Sequence, residues 1–132
     1  DAVMQLTRAR KDAMRVARET IQLVQTQETL FHTEGFAQRI LRTYEKHKEQ
    51  VHVAVEQSLE GWTLRRLNAE DSAALRLGAT EILFFADVPP KVIINEYVEL
   101  AKAYGNDDSS KLVNAVLDRI LHEHPRPEKK ED

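Results

Sequence analysis

The sequence of 132 residues contains no cysteine, only four glycines and four prolines, and no apolar run long enough to cross a bilayer. The lack of cysteine excludes disulfides, thiol catalysis and cysteine-ligated zinc, and it suits a reducing cytoplasm. A membrane span needs an apolar run of about 18 residues, and no signal peptide is visible. The scarcity of glycine and proline favours helices with short connections. We therefore expect a cytoplasmic helical protein with no membrane partner.

Motifs for catalysis and metal binding are also missing. There is no phosphate-binding glycine loop and no nucleophile elbow. His47 and His52 are five residues apart, about 500° around a helix, so they do not share a metal-binding face and are expected to face solvent. Glu96 and Glu99 form a carboxylate pair three residues apart, but they are expected on an exposed side of a helix, which does not favour catalysis. The sequence therefore predicts no catalytic residue, no metal site, no cofactor and no enzyme.

The bulk composition is that of an ordinary globular domain, with 42% hydrophobic and 31% charged residues. We expect a single helical domain over residues 1–124 and a disordered, charged, proline-broken tail over residues 125–132. The formal net charge of −3 argues against a protein that coats nucleic acid indiscriminately, but it permits a local basic patch.

Helical spacing of apolar residues organises the first half of the chain. One helix is predicted from about Ala2 to Gln25, with Leu6 on its apolar face, and the segment 26–35 interrupts it. A long helix is then predicted from about Phe36 to Glu60, and Gly61 follows as its C-terminal cap.

The second half predicts three shorter helices. Residues 73–85 are apolar almost all round, as expected of a central helix, with Asn68 or Asp71 as its cap and a close helix crossing at Gly78. A further helix begins at Pro90 and buries a face that includes Tyr104. Asp108 or Ser109 is expected to cap the last helix. The fold class is therefore all-α.

A row of basic residues is the best candidate for a binding surface. Its members recur at i, i+3, i+7 and i+10 along the first helix, opposite the apolar side, with Arg10 nearby: Arg8, Lys11, Arg15 and Arg18. Such a row can follow the phosphates of a single strand, because guanidinium groups offer paired donors to phosphate or to a base edge. The alternative is an ordinary solvated face with Asp12 and Glu19 as charge partners.

A polar cluster at the start of the last helix is a second candidate. It comprises Asp107, Asp108, Ser109, Ser110, Lys111 and Asn114. Unpaired backbone N–H groups at a helix N-terminus favour an anion or a base edge. Plain capping of the helix is the alternative.

Three segments resemble one known family. LRLGATEIL is similar to its central helix, DVPPKVIINEYVELAKAYG to the turn and helix that follow, and DDSSKLVNAVLDRI to its closing helix. The family is NusB, the bacterial transcription antitermination factors. The likeness covers about half the chain and includes polar positions and turn chemistry as well as apolar spacing.

The resemblance implies a compact bundle of about six to seven helices in two small three-helix halves. It also implies binding to boxA, a short single-stranded signal in ribosomal RNA leaders, together with the small-subunit ribosomal protein that doubles as NusE. The pair would act on RNA polymerase during ribosomal RNA transcription. Family members occur as monomers and as dimers, which leaves a homodimer open.

The family's site residues map onto this sequence position by position. Its arginine-rich opening is similar to Arg8-Ala9-Arg10, and its polar turn before the last helix corresponds to Asp108, with Lys111 and Leu112 after it. Both regions contact RNA in the family. The acidic residue that meets the ribosomal protein corresponds to Asp71, and Arg76 follows it on the same helix as a further expected partner contact.

Two departures from the family pattern keep alternatives open. The family carries aromatic residues where this chain has Arg18 and Leu112, and residues 1–30 could instead align with a later stretch of the family. The alternative functions are an appendage of a ribosomal RNA cytosine methyltransferase and a protein-interaction module that has lost RNA binding.

Overall fold

The computed structural model describes residues 2–19, 35–61, 63–105 and 107–126, and the regular elements of these residues are all helical. They are α1 (Ala2–Glu19), α2 (Phe36–Lys46), α3 (Lys48–Gln57), a 3-10 turn (Leu64–Arg66), α4 (Ala69–Phe84), α5 (Pro90–Tyr104) and α6 (Asp107–Glu123). The predicted all-α class is confirmed. Residues 20–25 of the predicted first helix, most of the predicted interruption and residues 127–132 of the tail lie outside the described residues.

Helix α4 forms the centre of the molecule and packs against each of the other five helices. Its residues are buried on nearly every side, as its apolar sequence predicts. At Gly78 an added Cβ would lie 2.8 Å from Leu117 Cδ1 and 3.3 Å from Tyr97 Cδ2. The missing side chain therefore lets α5 and α6 approach α4, and the predicted close crossing is confirmed.

The other helices form two groups around α4. On one side, α5 and α6 pack against each other and against α4, which gives a three-helix unit. On the other side, α1 and α2 pack together and against α4, while α3 follows α2 and also packs on α4. This arrangement matches the expected two halves.

The long helix predicted from Phe36 to Glu60 is in fact two helices, so this prediction is wrong. The backbone leaves helical geometry at His47, with φ −116° and ψ 23°. The His47 ring stacks on the Phe84 ring at the end of α4, with 4.0 Å between centroids and planes 16° apart. The bend therefore places His47 against the central helix instead of in solvent.

The start of α4 follows the predicted chemistry. Asn68 Oδ1 accepts a hydrogen bond of 2.7 Å from the Asp71 N–H, which satisfies one of the donors that a first helical turn leaves unpaired. Of the two expected caps, Asn68 is the one used.

The end of the described chain returns to α4. Arg126 donates to the carbonyl oxygens of Ile82 (2.9 Å), Glu81 (2.6 Å) and Val88. The last carbonyls of a helix lack intrahelical partners and carry partial negative charge, so a guanidinium stabilises them. These hydrogen bonds hold Arg126 against the end of α4, whereas the division into a domain and a tail after residue 124 stays a prediction.

Candidate nucleic-acid interface

One face of α1 forms the wall of a shallow groove of about 380 Å³. The first turns of α4 and the end of α5 form its other side. The residues that line it are Arg8, Lys11, Asp12, Met14, Arg15, Arg18, Glu70, Ala73 and Tyr104. All four members of the predicted basic row therefore lie in one groove.

Four cations and two carboxylates, those of Asp12 and Glu70, line this groove, so its net charge is positive. Within the described part of the chain, Arg8, Lys11 and Arg15 form no ion pair, and all three are exposed. Arg18 lies 3.7 Å from a carboxylate oxygen of Glu70, and both side chains are partly exposed. A groove with three unpaired cations attracts a polyanion.

Arg10 does not lie on this surface, and its burial counts against the predicted RNA contact. Its side chain is 1% exposed. Its Nε and Nη2 donate to Glu81 Oε2 (2.9 Å) and Oε1 (2.8 Å). Arg10 lies about 200° around the helix from Arg8, so it points into the core. Burial alone would lower the pKa of Arg10, but the hydrogen bonds and charge of Glu81 outweigh it and raise that pKa.

A third group completes this buried network. The hydroxyl of Tyr97 on α5 donates to Glu81 Oε2 at 2.5 Å. Burial raises the pKa of Tyr97 well above its ordinary value, and the negative charge of Glu81 adds to the shift. Glu81 thus accepts three hydrogen bonds, which tie α1 and α5 to α4 and orient the basic face of α1 outward.

A second contact fixes the start of α1 on α5. The Thr7 hydroxyl lies 3.1 Å from Glu96 Oε1 and 3.2 Å from Oε2, within hydrogen-bond distance of both. Glu96 is therefore partly buried and engaged in the fold, whereas the sequence placed it with Glu99 on an exposed side.

Tyr104 is a site residue that sequence reasoning missed. Its spacing predicted a buried position, but it is 49% exposed and lines the groove beside the basic row. Tyr104 is the last residue of α5, and its ring faces the groove instead of another helix. An exposed aromatic ring beside cations can stack on an unpaired base. Its position directly before Gly105, at the end of the helix, was the available signal.

The first turn of α6 lies next to the same groove. The helix begins at Asp107, so the expected caps Asp108 and Ser109 are already inside it. Ser109 Oγ donates to Asp71 Oδ2 at 3.3 Å, and the neighbouring Glu70 lines the groove. The basic row and the start of α6 are therefore neighbours across the first turn of α4.

The three expected RNA contacts on α6 differ in exposure. Asp108 and Lys111 are exposed on the first turn. Leu112 is half-buried and packs against the hydrophobic core. Asp108 and Lys111 are therefore accessible to a ligand, and Leu112 offers only part of its surface.

The two expected contacts with a protein partner are both engaged within the fold. Asp71 is 8% exposed and accepts from Ser109. Arg76 is half-buried and donates to Ala17 O (3.1 Å) and to the Tyr44 hydroxyl (3.1 Å). Asp71 therefore holds α6 onto α4 and offers little of its carboxylate to a partner, which counts against the expected contact there.

His52, on α3, contacts α2 and belongs to no metal-binding group in the part of the chain that the structure describes. His52 is half-buried, not solvent-facing as expected, and its Nε2 lies 2.6 Å from the Tyr44 hydroxyl. Burial lowers the pKa of His52, and the charges of Arg76 and Lys48 lower it further. Within the described residues, no group of three or more histidine or acidic side chains is placed to hold a metal ion. No helix of this part of the chain is long and apolar enough to span a bilayer.

Comparison with known proteins gives consistent results. A family model described as the NusB family matches residues 1–122. A transcription antitermination protein NusB from Thermotoga sp. (strain RQ2) is 42% identical over 93 residues, which cover 70% of this chain and 66% of that protein. A second protein of the same name, from Lysinibacillus sphaericus (strain C3-41), is 35% identical over 102 residues, which cover 74% of this chain and 80% of that protein.

Solved structures give the same result. T. maritima NusB superimposes with a TM-score of 0.78 at 33% identity, over 91% of this chain and 92% of that one. A chain in a structure described as the crystal structure of a plectonemic RNA supercoil gives a TM-score of 0.74 at 25% identity. The match covers 93% of this chain and 98% of that chain.

The named relatives are transcription antitermination proteins. The chain spans less than two thirds of the length of some of them, with 66% of the Thermotoga protein and 58% of one from Desulfitobacterium hafniense (strain DSM 10664 / DCB-2). The family match nevertheless covers nearly all of this chain, and the chain belongs to the NusB family.

Proposed function

We propose that this protein is a transcription antitermination factor that binds boxA-type single-stranded RNA together with a small-subunit ribosomal protein acting as NusE. In this role it works in the cytoplasm, joins the RNA polymerase complex and supports ribosomal RNA transcription. The observation that carries the proposal is the groove beside α1, where an exposed aromatic ring adjoins a row of cations.

Affinity for RNA comes from the cations of this groove. Arg8, Lys11 and Arg15 contact successive phosphates of an extended strand, because all three are exposed along one face of α1. Arg18 continues the row and exchanges its weak contact with Glu70 for a phosphate. Such contacts release counterions, so binding weakens as salt rises.

Specificity comes from unstacked bases at the end of the groove. The Tyr104 ring provides a stacking surface, which offsets the loss of family aromatics at Arg18 and Leu112. Asp108 and Lys111 on the adjoining turn of α6 offer polar contacts to base edges.

The protein partner adds a second surface to the complex. Asp71 contributes to this surface indirectly, by holding the first turn of α6 in place. Arg76 is already held by the Tyr44 hydroxyl and by Ala17 O, so we do not assign it to the protein partner. The first turn of α6 adjoins the RNA groove, so that one strand can contact both proteins.

Fluorescence anisotropy with a labelled boxA RNA and a scrambled control, with and without the ribosomal protein, tests the proposal. Preferential, salt-sensitive binding of boxA that the partner strengthens is the expected result. Equal weak binding of both RNAs contradicts it. Binding of the ribosomal protein without any RNA binding would instead support the interaction-module alternative.

Two sets of variants locate the site. A plot of log affinity against log salt concentration has a negative slope. Changing Arg8 and Arg15 to Ala is expected to make this slope shallower by about 1.4, roughly 0.7 for each lost phosphate contact. Arg42→Ala is the matched control, because Arg42 is exposed on α2 and does not line the groove beside α1.

Tyr104 is tested with a pair of variants. Tyr104→Ala is expected to cost about 1–3 kcal/mol of RNA binding, or roughly five- to hundredfold in affinity, if one base stacks on the ring. Tyr104→Phe keeps the ring and is expected to bind nearly as well as the unchanged protein. Equal binding by the Ala and Phe variants would show that the ring does not stack on a base.

A further inference from the structure

A second groove, of about 530 Å³, lies on the other side of Arg18. It is bounded by α3, the 3-10 turn and α4. Four cations line it, namely Arg18, Lys48, Arg65 and Arg76, together with a single carboxylate, Glu56. The surface is therefore strongly positive, although the chain as a whole carries a net charge of −3.

The one carboxylate of this groove does not neutralise its cations. Glu56 Oε2 accepts a hydrogen bond of 3.2 Å from the Leu64 N–H, which holds the 3-10 turn in place. Within the described residues, Lys48, Arg65 and Arg76 form no ion pair with any acidic side chain.

Arg76 is both charged and fixed in position. Within the described residues, its three guanidinium nitrogens donate to uncharged acceptors, namely Ser72 O (3.2 Å), Ser72 Oγ (3.0 Å), the Tyr44 hydroxyl (3.1 Å) and Ala17 O (3.1 Å). A guanidinium held in this way loses little side-chain entropy when an anion arrives, so it is preorganised for binding.

The two grooves meet at Arg18, which lines both of them. An anionic strand that follows Arg8, Lys11 and Arg15 therefore meets Arg18 next, and beyond it the cations of the second groove. This continuity of positive charge favours one long polyanion over a separate acidic peptide, whose charges need not match the first groove.

We propose that the second groove is a phosphate-binding extension of the RNA surface, which holds the nucleotides that flank the strand bound beside α1. The inference rests on the proposed RNA-binding function and extends the footprint of the RNA to α3 and the 3-10 turn. The backbone phosphates supply the contacts, so this extension adds affinity without reading sequence.

His52 provides a probe inside the groove. Its ring is hydrogen-bonded to Tyr44, and the charges of Arg76 and Lys48 oppose its protonation, while Glu56 favours it. A phosphate bound beside these cations reverses their effect, and protonation of His52 then becomes easier.

The test compares a boxA-length RNA with the same RNA extended by about ten nucleotides at each end. The variant carries Lys48→Glu and Arg65→Glu, two side chains that hold no ion pair in the described fold. The control carries Arg42→Glu and Lys91→Glu, which make the same change in net charge at exposed positions outside both grooves.

Unchanged protein is expected to bind the extended RNA about tenfold tighter than the short one, because about two further phosphates are contacted. The groove variant loses this gain and still binds the short RNA within about twofold, while the control keeps the gain. The NMR titration of His52 is expected to move to higher pH with the extended RNA only.

Three results overturn the proposal. The first is a groove variant that keeps the full gain from the extended RNA. The second is a variant that loses the ribosomal protein but binds both RNAs normally, which would make the groove a protein site. The third is failure of the unchanged protein to bind either RNA, which would also overturn the proposed function, whereas the first two leave that function intact.

Discussion

Two bidentate ion pairs with similar hydrogen-bond lengths hold different parts of this molecule, one in the core and one on the surface. Arg10 binds Glu81 through two hydrogen bonds of 2.9 and 2.8 Å, and Arg39 binds Asp87 through two of 3.0 and 2.8 Å. The side chains of the first pair are 1% and 0% exposed, and those of the second are 47% and 61% exposed.

Because the hydrogen-bond lengths are similar, we expect burial to decide what each pair contributes to stability. A buried charge that loses its partner cannot be hydrated, so the penalty for breaking the pair is large. An exposed charge that loses its partner is solvated by water, and the pair contributes little. Arg10 therefore anchors α1, while Arg39 adds an exposed contact between α2 and the turn after α4 and lies over the Phe85 ring, 4.1 Å from its centroid.

Removal of Arg10 is expected to have the largest effect. Arg10→Ala leaves the buried Glu81 side chain with the Tyr97 hydroxyl as its one remaining side-chain partner among the described residues, and about 3–5 kcal/mol of the free energy of unfolding is lost. Urea denaturation followed by circular dichroism measures this loss. Arg39→Ala, the matched exposed arginine, is expected to cost less than about 1 kcal/mol. Equal costs for the two variants would contradict the role of burial.

Tyr97→Phe tests the third member of the buried network. Its cost in free energy of unfolding is expected to be smaller than that of Arg10→Ala and larger than that of Arg39→Ala. The variant removes one hydrogen bond to a charged acceptor, so the expected cost is about 1.5–3 kcal/mol near neutral pH. The folded state raises the pKa of Tyr97, so the unfolded chain loses this proton first and stability falls as the pH rises above about 10. The Phe variant has no hydroxyl to titrate and lacks this loss. The difference in free energy of unfolding between the unchanged protein and the variant, measured by urea denaturation, should therefore narrow at high pH.

Much of the fold was predictable because its signals are local. Asn68 caps α4 within three residues, Pro90 begins α5, and the apolar sequence around Gly78 predicts the crossing that Leu117 occupies. Each of these features depends on neighbouring residues or on a period of 3.6 residues, which a sequence displays directly.

The break at His47 was not predictable in the same way. Nothing local separates residues 36–60 into two helices, since the apolar spacing continues across His47. The bend accompanies stacking on Phe84, which belongs to another helix. A contact of this kind depends on how the helices are arranged in space.

The candidate site shows the same division. The periodicity of α1 predicted that Arg8, Lys11 and Arg15 share a face. It could also have excluded Arg10, which lies about 200° away from Arg8, on the side of the core. Its partner Glu81, however, is 71 residues distant in the sequence, so the pair itself could not be inferred. The exposure of Tyr104 likewise depends on which helices end beside it.

The smallest expected effect concerns the exposed pair and its dependence on pH. Hydrogen bonds from Arg39 lower the pKa of Asp87 to about 2, below the ordinary value of 3.8. The folded state therefore favours the charged carboxylate, so this stabilisation is present above about pH 4 and is lost as the pH falls towards 2.

Asp87→Asn removes this contribution, and its stability should decline less than that of the unchanged protein between pH 4 and pH 2. Because both partners are exposed, we expect a difference below about 1 kcal/mol in urea denaturation. Asp118→Asn is the control, since Asp118 is exposed and forms no ion pair within the described residues. If the Asp87 variant followed the acid profile of the unchanged protein, the surface pair would contribute nothing, and the contrast with Arg10 and Glu81 would be complete.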